Sequence, residues 1–500
     1  KIIIISLLVG LNLTSCDFLE KDPTYTTPEN YFKNEADAAS WLTGTYAILG
    51  QSSFYGNEFL YLVGGDDLGH YGGANRGPNK SGLICNNANT SDPTVAALWY
   101  TLYSGINRAN IFLENIDAVP DINDDTRKQY KAEARFLRAF YYFTLVECWG
   151  DVPFKTTSTE DAYNLSIPRT DKQTIYDFII KEMYGSAEDL KSAQELNYLP
   201  GRVSKSAAWG MLARVYMFRA GEPKRDKEVG LANSTTSAEI TEYFKKASYY
   251  AQLVKNEGHS LTAKYWDFFI DICSDKYNTA LNKDGAKANE SIWEVEFAGN
   301  RSTDVRAEGR IGNIIGIQGK DLSSKASITG KGDPGYAYAF IWNTPKLLEL
   351  YEANGDIDRC NWNIAPFTYT QSAGEGTPVD GREFVKGKRD EVEQQYWDQS
   401  FSYGKTDPGS TYGDRESKND ANKNRNRAAA KYRREYEADK KSKNDTSINF
   451  PLLRYSDILL MIAEAENEVN HGPNDLAYEC INAVRERAGI KKLAANLDEE

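Results

Sequence analysis

The feature that most constrains the fold is a series of five segments in which apolar residues recur every three or four positions. In the first segment, Leu98–Ile116, the apolar positions step by 4, 4, 3, 4 and 3 residues, which places them on one face of an α-helix. Segments of about 20 residues that follow one another in this way predict antiparallel helix pairs in a tetratricopeptide-like solenoid. The other four segments lie at 125–149, 171–190, 204–218 and 240–254, and Gly150, Gly221 and Gly258 are the expected ends of the second, fourth and fifth.

From about Cys273 the helical pattern gives way to a region rich in glycine and aromatic residues. Residues 291–297 alternate in polarity, which predicts a strand with Trp293 on its apolar face and solvated Glu294 and Glu296 on the other face. An irregular region mounted on a rigid scaffold is a common place for a ligand site.

The helical spacing returns near the end of the chain, at 458–469 and 477–488. We therefore predict a mainly α protein, with a tetratricopeptide-like helix-pair scaffold and a large irregular insert that contains short strands. The predicted organisation is a lipoprotein signal peptide at 1–15, the N-terminal scaffold at 16–275, the insert and probable ligand region at 276–449, and C-terminal helices at 450–500.

The N-terminus has the pattern of a secretory signal that ends at a cysteine. Lys1 is followed by an apolar run through Leu13 that is too short to cross a bilayer. The sequence Leu-Thr-Ser-Cys at 13–16 resembles a bacterial lipobox, in which the cysteine is acylated and becomes the new N-terminus. We therefore expect Cys16 to carry the lipid anchor, since each buried methylene of an acyl chain contributes roughly 0.8 kcal/mol to membrane binding.

Composition narrows the possible partners of the remaining chain. The formal net charge of −13 argues against a nucleic-acid partner and against electrostatic binding to anionic lipid. Five cysteines follow Cys16. Each lies more than 60 residues from the next and none forms a C-x-x-C pattern, which argues against a zinc site and against a disulfide framework. Tyrosine is abundant, at 32 residues, and its flat amphipathic ring is well suited to a ligand-binding surface.

Catalytic motifs are missing from the sequence. The histidines at positions 70, 259 and 471 lie far apart and outside any H-E-x-x-H pattern, and neither G-x-x-x-x-G-K-[ST] nor G-x-S-x-G occurs. Glu294 and Glu296 form the best carboxylate pair, but a glycosidase needs carboxylates roughly 5–9.5 Å apart on opposite sides of the scissile bond. We expect no enzymatic activity and no cofactor and assign no metal-ligating residues, and a surface glycoside hydrolase is the less favoured alternative.

Four different sequence motifs follow one another along the chain in a characteristic order. They are D-F-L-E-K-D-P at 17–23, A-R-F-L-R-A at 134–139 with W-G-D-V-P at 149–153, G-R-V-S-K-S-A at 201–207, and F-P-L-L-R-Y-S-D-I-L-L-M at 450–461 with I-N-A-V-R-E-R-A-G at 481–489. Behind a lipobox, this series resembles the SusD/RagB family of nutrient-binding outer-membrane lipoproteins of Bacteroidota. Members of that family usually continue beyond the position of Glu500, so we expect this chain to be truncated there.

The resemblance implies non-catalytic capture of an oligosaccharide and its delivery to a SusC-like TonB-dependent outer-membrane transporter. It also implies a lipid-anchored location in the outer membrane that faces the cell exterior. A peptide or another nutrient is the alternative ligand class. We interpret the charged residues of the motifs as structural rather than as an active site. Arg135 and Arg138 are expected to lie beside aromatic faces and helix-end carbonyls, and Arg454 and Arg487 to belong to Arg–carboxylate networks between helices.

Two segments are candidates for the ligand site. One is the loop Gly64–Arg76, in which glycines surround polar and aromatic side chains, and the other is 336–342, at the end of the glycine-rich insert. Sugar rings present C–H faces that stack on aromatic side chains and hydroxyls that bond to carboxylates and guanidinium groups. The predicted ligand-binding residues are Asp66, Asp67, Tyr71, Arg76, Tyr336, Tyr338 and Trp342.

Overall fold

The structure is a computed structural model, and the description covers most of the chain. The described residues are 31–64, 66–71, 88–159, 166–298, 309–317, 337–364, 428–437 and 445–494. Cys16, Arg76 and Tyr336 lie outside these residues.

Consecutive α-helices form the main body of the protein, as the apolar spacing predicts. They are α1 (Glu35–Tyr46), α2 (Pro93–Asn115), α3 (Asp124–Trp149), α4 (Lys172–Asp189), α5 (Lys205–Glu228), α6 (Ser237–Lys255), α11 (Tyr455–Asn470) and α12 (Asp475–Arg487). From α1 to α6 each helix packs on the next, and α11 returns from the far end of the sequence to pack on α6. This mainly helical, tetratricopeptide-like architecture confirms the predicted fold class.

Polar caps begin these helices. Asp92 accepts hydrogen bonds from the backbone N–H groups of Thr94 and Val95 and begins α2. Thr236 and Glu239 form a capping box at the start of α6. Gly150 has a φ of 69°, a left-handed conformation that favours glycine, and it ends α3 as predicted.

The predicted end of α5 at Gly221 is wrong, because the helix continues through Pro223 to Glu228. The added turns are held by an ion-pair network with α4. Lys172 Nζ lies 2.7 Å from Asp226 Oδ1 and 3.5 Å from Glu222 Oε1, and both carboxylates are buried. Because buried charges are costly unless they are paired, this network favours the longer helix.

Short antiparallel strand pairs connect distant parts of the chain. β2 (Val152–Pro153) pairs with β3 (Arg169–Thr170) beside α3, and β4 (Ser291–Val295) pairs with β6 (Phe450–Arg454). Trp293 of β4 lies edge-to-face on Phe136 and Phe140 of α3, with ring centroids 5.0 and 4.9 Å away. The two ends of the irregular region are therefore joined within the main helical core.

The predicted exposure of Glu294 to solvent is wrong. All five residues of β4 are buried, and Glu294 is only 4 % exposed, whereas Glu296 is exposed as predicted. Glu294 accepts hydrogen bonds from Ser291 and from Asn449 Nδ2, the latter at 3.0 Å. Burial raises the pKa of Glu294 to about 7. Alternation of polarity predicted a solvated face, but β6 and the scaffold cover both sides of this strand.

A second core lies outside the main helical core. Its buried residues include Phe269, Ile314, Trp362 and Tyr436. The elements around it are α7 (Tyr265–Cys273), α8 (Ile311–Ile314), α9 (Pro345–Ala353), α10 (Ile357–Asn363) and two strands described below, β1 (Gly69–Tyr71) and β5 (Ile341–Asn343). Although the sequence assigned α7 to the scaffold, its buried side chains belong to this second core.

The charged residues of the sequence motifs form ion pairs between elements, which confirms the Arg–carboxylate interpretation of Arg454 and Arg487 and adds ion pairs for Arg135 and Arg138. Arg487 Nη1 lies 2.8 Å from the buried carboxylate of Glu290, and Arg454 approaches the same carboxylate at 3.6 Å. Although burial alone would raise the pKa of Glu290, the two guanidinium groups lower it. Arg135 pairs with Asp189 at 2.6 Å, and Arg138 pairs with Glu182.

In the part of the chain that the structure describes, every helix is too short or too polar to cross a membrane.

Candidate functional site

The structure brings the two predicted ligand segments together in one strand pair. β1, from the Gly64–Arg76 loop, pairs antiparallel with β5, from the 336–342 segment. His70 is opposite Trp342, and Tyr71 is opposite Ile341. Residues more than 250 positions apart in sequence therefore contribute to one small surface on the second core.

The acidic residues before β1 fix the turn that leads into the strand. The Asp66 carboxylate accepts hydrogen bonds from the N–H groups of Leu68 and Gly69, at 2.9 and 2.7 Å, in the manner of an Asx turn. The backbone of this turn also bonds to Thr344, which donates its N–H to the Leu68 carbonyl at 2.8 Å. Asp66 is thus a positioning residue, and the carboxylate oxygen that caps the turn is already occupied.

Asp67 keeps an exposed carboxylate at the edge of the strand pair. It forms an ion pair with Lys346, at the start of α9, and the hydrogen bond and charge of that ammonium lower the pKa of Asp67. The Asp67 carbonyl accepts a further hydrogen bond from the Thr344 hydroxyl at 2.8 Å. A carboxylate and an ammonium group are therefore held side by side at the surface, as an acceptor and a donor of hydrogen bonds.

Four aromatic rings lie together beside the strand pair, and we call them the ring patch: Tyr61, Tyr71, Tyr338 and Phe340. Phe340 stacks on Tyr338, with centroids 4.9 Å apart and planes 10° apart, and on Tyr71 at 5.6 Å and 24°. Tyr61 lies below them, 5.8 Å from Phe340 and 6.0 Å from Tyr71. Tyr61 is buried, whereas the other three rings are only half-buried.

Sequence reasoning did not select Tyr61 or Phe340 individually. Phe340 lies two positions after Tyr338, and such spacing puts side chains of an extended segment on one face. Tyr61 precedes the glycine-rich loop and lies in a 3-10 helix at Glu58–Gly64, in which residues 59–63 are all apolar or aromatic. The spacing of Phe340 could have been used, but the contact of Tyr61 depends on tertiary structure.

Trp342 does not lie on the ring patch, which corrects its proposed contact with ligand. It is 2 % exposed, and its indole N–H donates to the Ala339 carbonyl at 2.9 Å. It packs in a small cluster with Ala339 and Ala428, and Ala339 has a φ of 53°. The buried indole therefore anchors the strand pair instead of facing a ligand.

A cationic side chain lies next to the ring patch. Burial raises the pKa of Tyr61, and the positive charge of Arg310 opposes that change. Within the described residues, the Arg310 Nε atom is buried and has no hydrogen-bond partner. Guanidinium groups are strong hydrogen-bond donors, and Arg310 therefore adds donor capacity close to the rings.

The arrangement suits recognition better than catalysis. Half-buried stacked rings offer a flat apolar face, and the Asp67–Lys346 pair offers polar groups at its edge. Across the described ranges there is no cluster of three or more histidine, cysteine, aspartate or glutamate side chains that could hold a metal ion. The site can therefore hold a ligand that has both flat apolar faces and hydroxyl groups.

Comparison with known families gives two matches that together span most of the chain. Residues 17–217 match a SusD-like family described as starch-binding and associating with the outer membrane. Residues 289–499 match the SusD family itself, also named SusD/RagB.

Individual relatives match at nearly full length. The SusD-like protein P2 of Formosa agariphila is 27 % identical over 98 % of this chain and 81 % of its own length. Among solved structures, a SusD homologue from Bacteroides thetaiotaomicron superposes with a TM-score of 0.71 at 24 % identity, covering 96 % of this chain and 84 % of that one. A laminarin-binding SusD-like protein superposes with a TM-score of 0.62 at 20 % identity, covering 92 % and 86 %.

Proposed function

We propose, because the chain belongs to the SusD family, that it captures an oligosaccharide at the outer membrane without chemically changing it. Family membership makes carbohydrate the first ligand class to consider, since one matched family is described as starch-binding and one structural relative as laminarin-binding. The observation that carries the proposal for this chain is the ring patch. Three stacked, half-buried rings from two distant segments form a platform that a packed core would have covered.

In this proposal the sugar stacks on Tyr71, Tyr338 and Phe340. The Asp67 carboxylate and Lys346 bond to its hydroxyls, and Arg76 and Tyr336, which lie outside the described residues, complete the contacts. Each aromatic contact contributes about 0.5–1.5 kcal/mol, so several rings are needed for useful affinity. We expect an oligosaccharide longer than a disaccharide and a Kd between micromolar and millimolar, or about −4 to −8 kcal/mol.

Weak binding suits capture followed by release. We propose that the protein is anchored through Cys16 and passes its ligand to a SusC-like TonB-dependent transporter at the cell surface. Labelling of cells with a fatty-acid analogue is expected to mark the wild type and not Cys16→Ala. Equal labelling of both proteins would contradict the anchor.

The binding site is tested by calorimetry with oligosaccharides of starch and laminarin, and with further glycans that an array identifies. Tyr71→Ala and Tyr338→Ala are expected to weaken binding, whereas Tyr100→Ala, which removes a tyrosine that is 70 % exposed on α2, is expected to leave it unchanged. Binding of peptides without binding of any glycan would show that the ligand class is wrong. Release of reducing sugar by the purified protein would favour the glycoside hydrolase alternative.

A further inference from the structure

A second group of exposed tyrosines lies on the helical scaffold, in an open groove of about 510 Å³ between α4 and α6. We call it the helical groove. Its α4 wall is formed by positions 177, 180, 181 and 184, which share one helix face, and its α6 wall by positions 246, 249 and 250. Tyr216 of α5 lies at its floor. The helical groove belongs to the main core, whereas the ring patch belongs to the second core.

The helical groove has two buried tyrosine rings at its floor and one exposed tyrosine ring on each wall. Tyr216 and Tyr250 are buried and stack with centroids 5.8 Å apart and planes 8° apart. Tyr184 on α4 is 47 % exposed and Tyr249 on α6 is 55 % exposed. Tyr249 also contacts Tyr250 edge-on at 5.2 Å, which joins the exposed wall to the buried floor.

Ordinary packing explains the floor of the groove but not its walls. The buried pair contributes to the contact between α5 and α6, and a single exposed tyrosine would need no explanation. Two half-exposed tyrosines that face each other across a groove form a clustered aromatic surface, and such surfaces mark interaction sites. The volume of the groove also lies within the range of small-molecule sites.

The charged side chains of the helical groove indicate the chemistry of its occupant. Lys181 and Lys246 are exposed on opposite walls, and Asp177 lies on the same α4 face as Lys181. Asp177 is also 2.8 Å from Arg219 of α5. Charges of both signs alternate with phenol rings, which gives hydrogen-bond donors and acceptors around flat apolar faces. This is the combination that a sugar ring needs, and an apolar partner helix would leave these charges desolvated.

The helical face offers room for more than one sugar ring. Positions 177 and 184 are separated by seven residues, or about 10 Å along a helix axis. The groove is open at the surface, so a chain that continues in both directions can lie across it. A polysaccharide has such a shape, whereas a short oligosaccharide would use only one site at a time.

We infer that the helical groove is a second carbohydrate-binding surface, which holds another stretch of the polysaccharide bound at the ring patch. The inference rests on the proposed function of the ring patch. Two sites on one protein raise the affinity for a long chain, because the second contact becomes intramolecular. The groove therefore contributes to the capture of polymers and not to the affinity for short fragments.

The test compares polymer and fragment binding in two double variants. Soluble starch and laminarin serve as polymers in affinity electrophoresis, and short oligosaccharides of the same glycans serve in calorimetry. Tyr184→Ala/Tyr249→Ala is expected to weaken polymer binding by about tenfold or more and to leave the fragment affinity unchanged. Tyr71→Ala/Tyr338→Ala is expected to weaken both, and Tyr100→Ala neither. Unchanged thermal unfolding of the groove variant would show that its fold is intact.

The outcomes separate this inference from the proposed function. The inference would be overturned if the groove variant bound both polymers as tightly as the wild type does while the ring-patch variant bound them more weakly. The proposed function would then still stand. Wild-type protein that binds neither polymer nor fragment would contradict both. A Lys181→Ala/Lys246→Ala variant adds a second measurement, since loss of these donors is expected to weaken only the polymer.

Discussion

The aromatic residues between α3 and β4 in the main core and those of the ring patch on the second core are buried to different extents. In the main core, Phe136, Phe140 and Trp293 are buried in edge-to-face contact, and they join α3 to β4. On the second core, Tyr71, Tyr338 and Phe340 stack face to face and stay half-buried. The same residue types therefore stabilise the fold in one region and present a surface in the other. Substitutions in the main core should change stability, and substitutions in the ring patch should change binding.

The largest effect is expected at the buried ion pair that joins α12 to the main body. Arg487→Ala leaves the Glu290 carboxylate without its nearer partner, which should lower the free energy of unfolding by about 3–5 kcal/mol. Chemical denaturation measures this change. Arg485→Ala on the same helix, which removes a bond to the Lys491 carbonyl in an exposed setting, should change stability by about 0.5 kcal/mol or less.

The pH dependence sharpens this prediction. Because the folded-state pKa of Glu290 is lowered, its ion pairs stabilise the protein above the unfolded-state pKa, and that contribution is lost as the pH falls through the folded-state value. The difference between wild type and Arg487→Ala should therefore be largest at neutral pH and decrease in acid. A difference that grows in acid would contradict the assignment.

Leu137→Ala tests the main core without changing charge. Leu137 is fully buried on α3, so the smaller side chain should cost about 2–5 kcal/mol in the free energy of unfolding. Leu460→Ala, at an exposed position of α11, is the matched control and should have little effect. At a temperature at which Leu137→Ala remains folded, its glycan affinity should equal that of the wild type. A silent Leu137→Ala variant would contradict the distinction between scaffold and site.

Glu294→Gln tests the buried carboxyl of β4 through the slope of stability against pH. Since the folded-state pKa is raised to about 7, the folded protein binds more protons than the unfolded chain, and stability falls as the pH rises from about 4.5 to about 7. The glutamine variant lacks this contribution, so its stability relative to the wild type should increase over that interval. If the stabilities of the wild type and Glu294→Gln changed in parallel with pH, the raised pKa of Glu294 would be contradicted. Glu228→Gln, at the exposed end of α5, is the control.

The smallest effect on stability is expected in the ring patch. Tyr71→Ala should weaken glycan binding by about 0.5–1.5 kcal/mol and lower stability far less than Leu137→Ala does, because the Tyr71 ring is half-buried. Calorimetry and denaturation of the same preparation measure both quantities. The affinity should change little between low and high salt, because the expected ligand is neutral or weakly charged. Binding that collapses at high salt would indicate an anionic ligand.

The helical part of the fold could be predicted because its signals are local. Apolar spacing located α2, and Gly150 marks the end of α3 as predicted. The continuation of α5 beyond Gly221 could not be predicted in this way. It depends on Lys172 of α4, and a pairing between two helices leaves no periodic pattern in either sequence.

The candidate site shows the same limit. Glycine and tyrosine content located both segments, but their pairing as β1 and β5 joins residues that are distant in sequence. The burial of Trp342 depends on its packing against Ala428, which is distant in sequence and which local composition does not indicate. Local composition therefore indicated the two segments that meet in the candidate site, while tertiary structure decides which rings face outward.

The central claim is that the ring patch holds short oligosaccharides. A crystal structure of the protein with an oligosaccharide selected by a glycan array tests this claim most directly. We expect density for a sugar ring stacked on Tyr71, Tyr338 or Phe340, with hydroxyls within hydrogen-bond distance of Asp67 or Lys346, and with Trp342 still buried. A short oligosaccharide bound elsewhere, with the ring patch empty, would contradict the account.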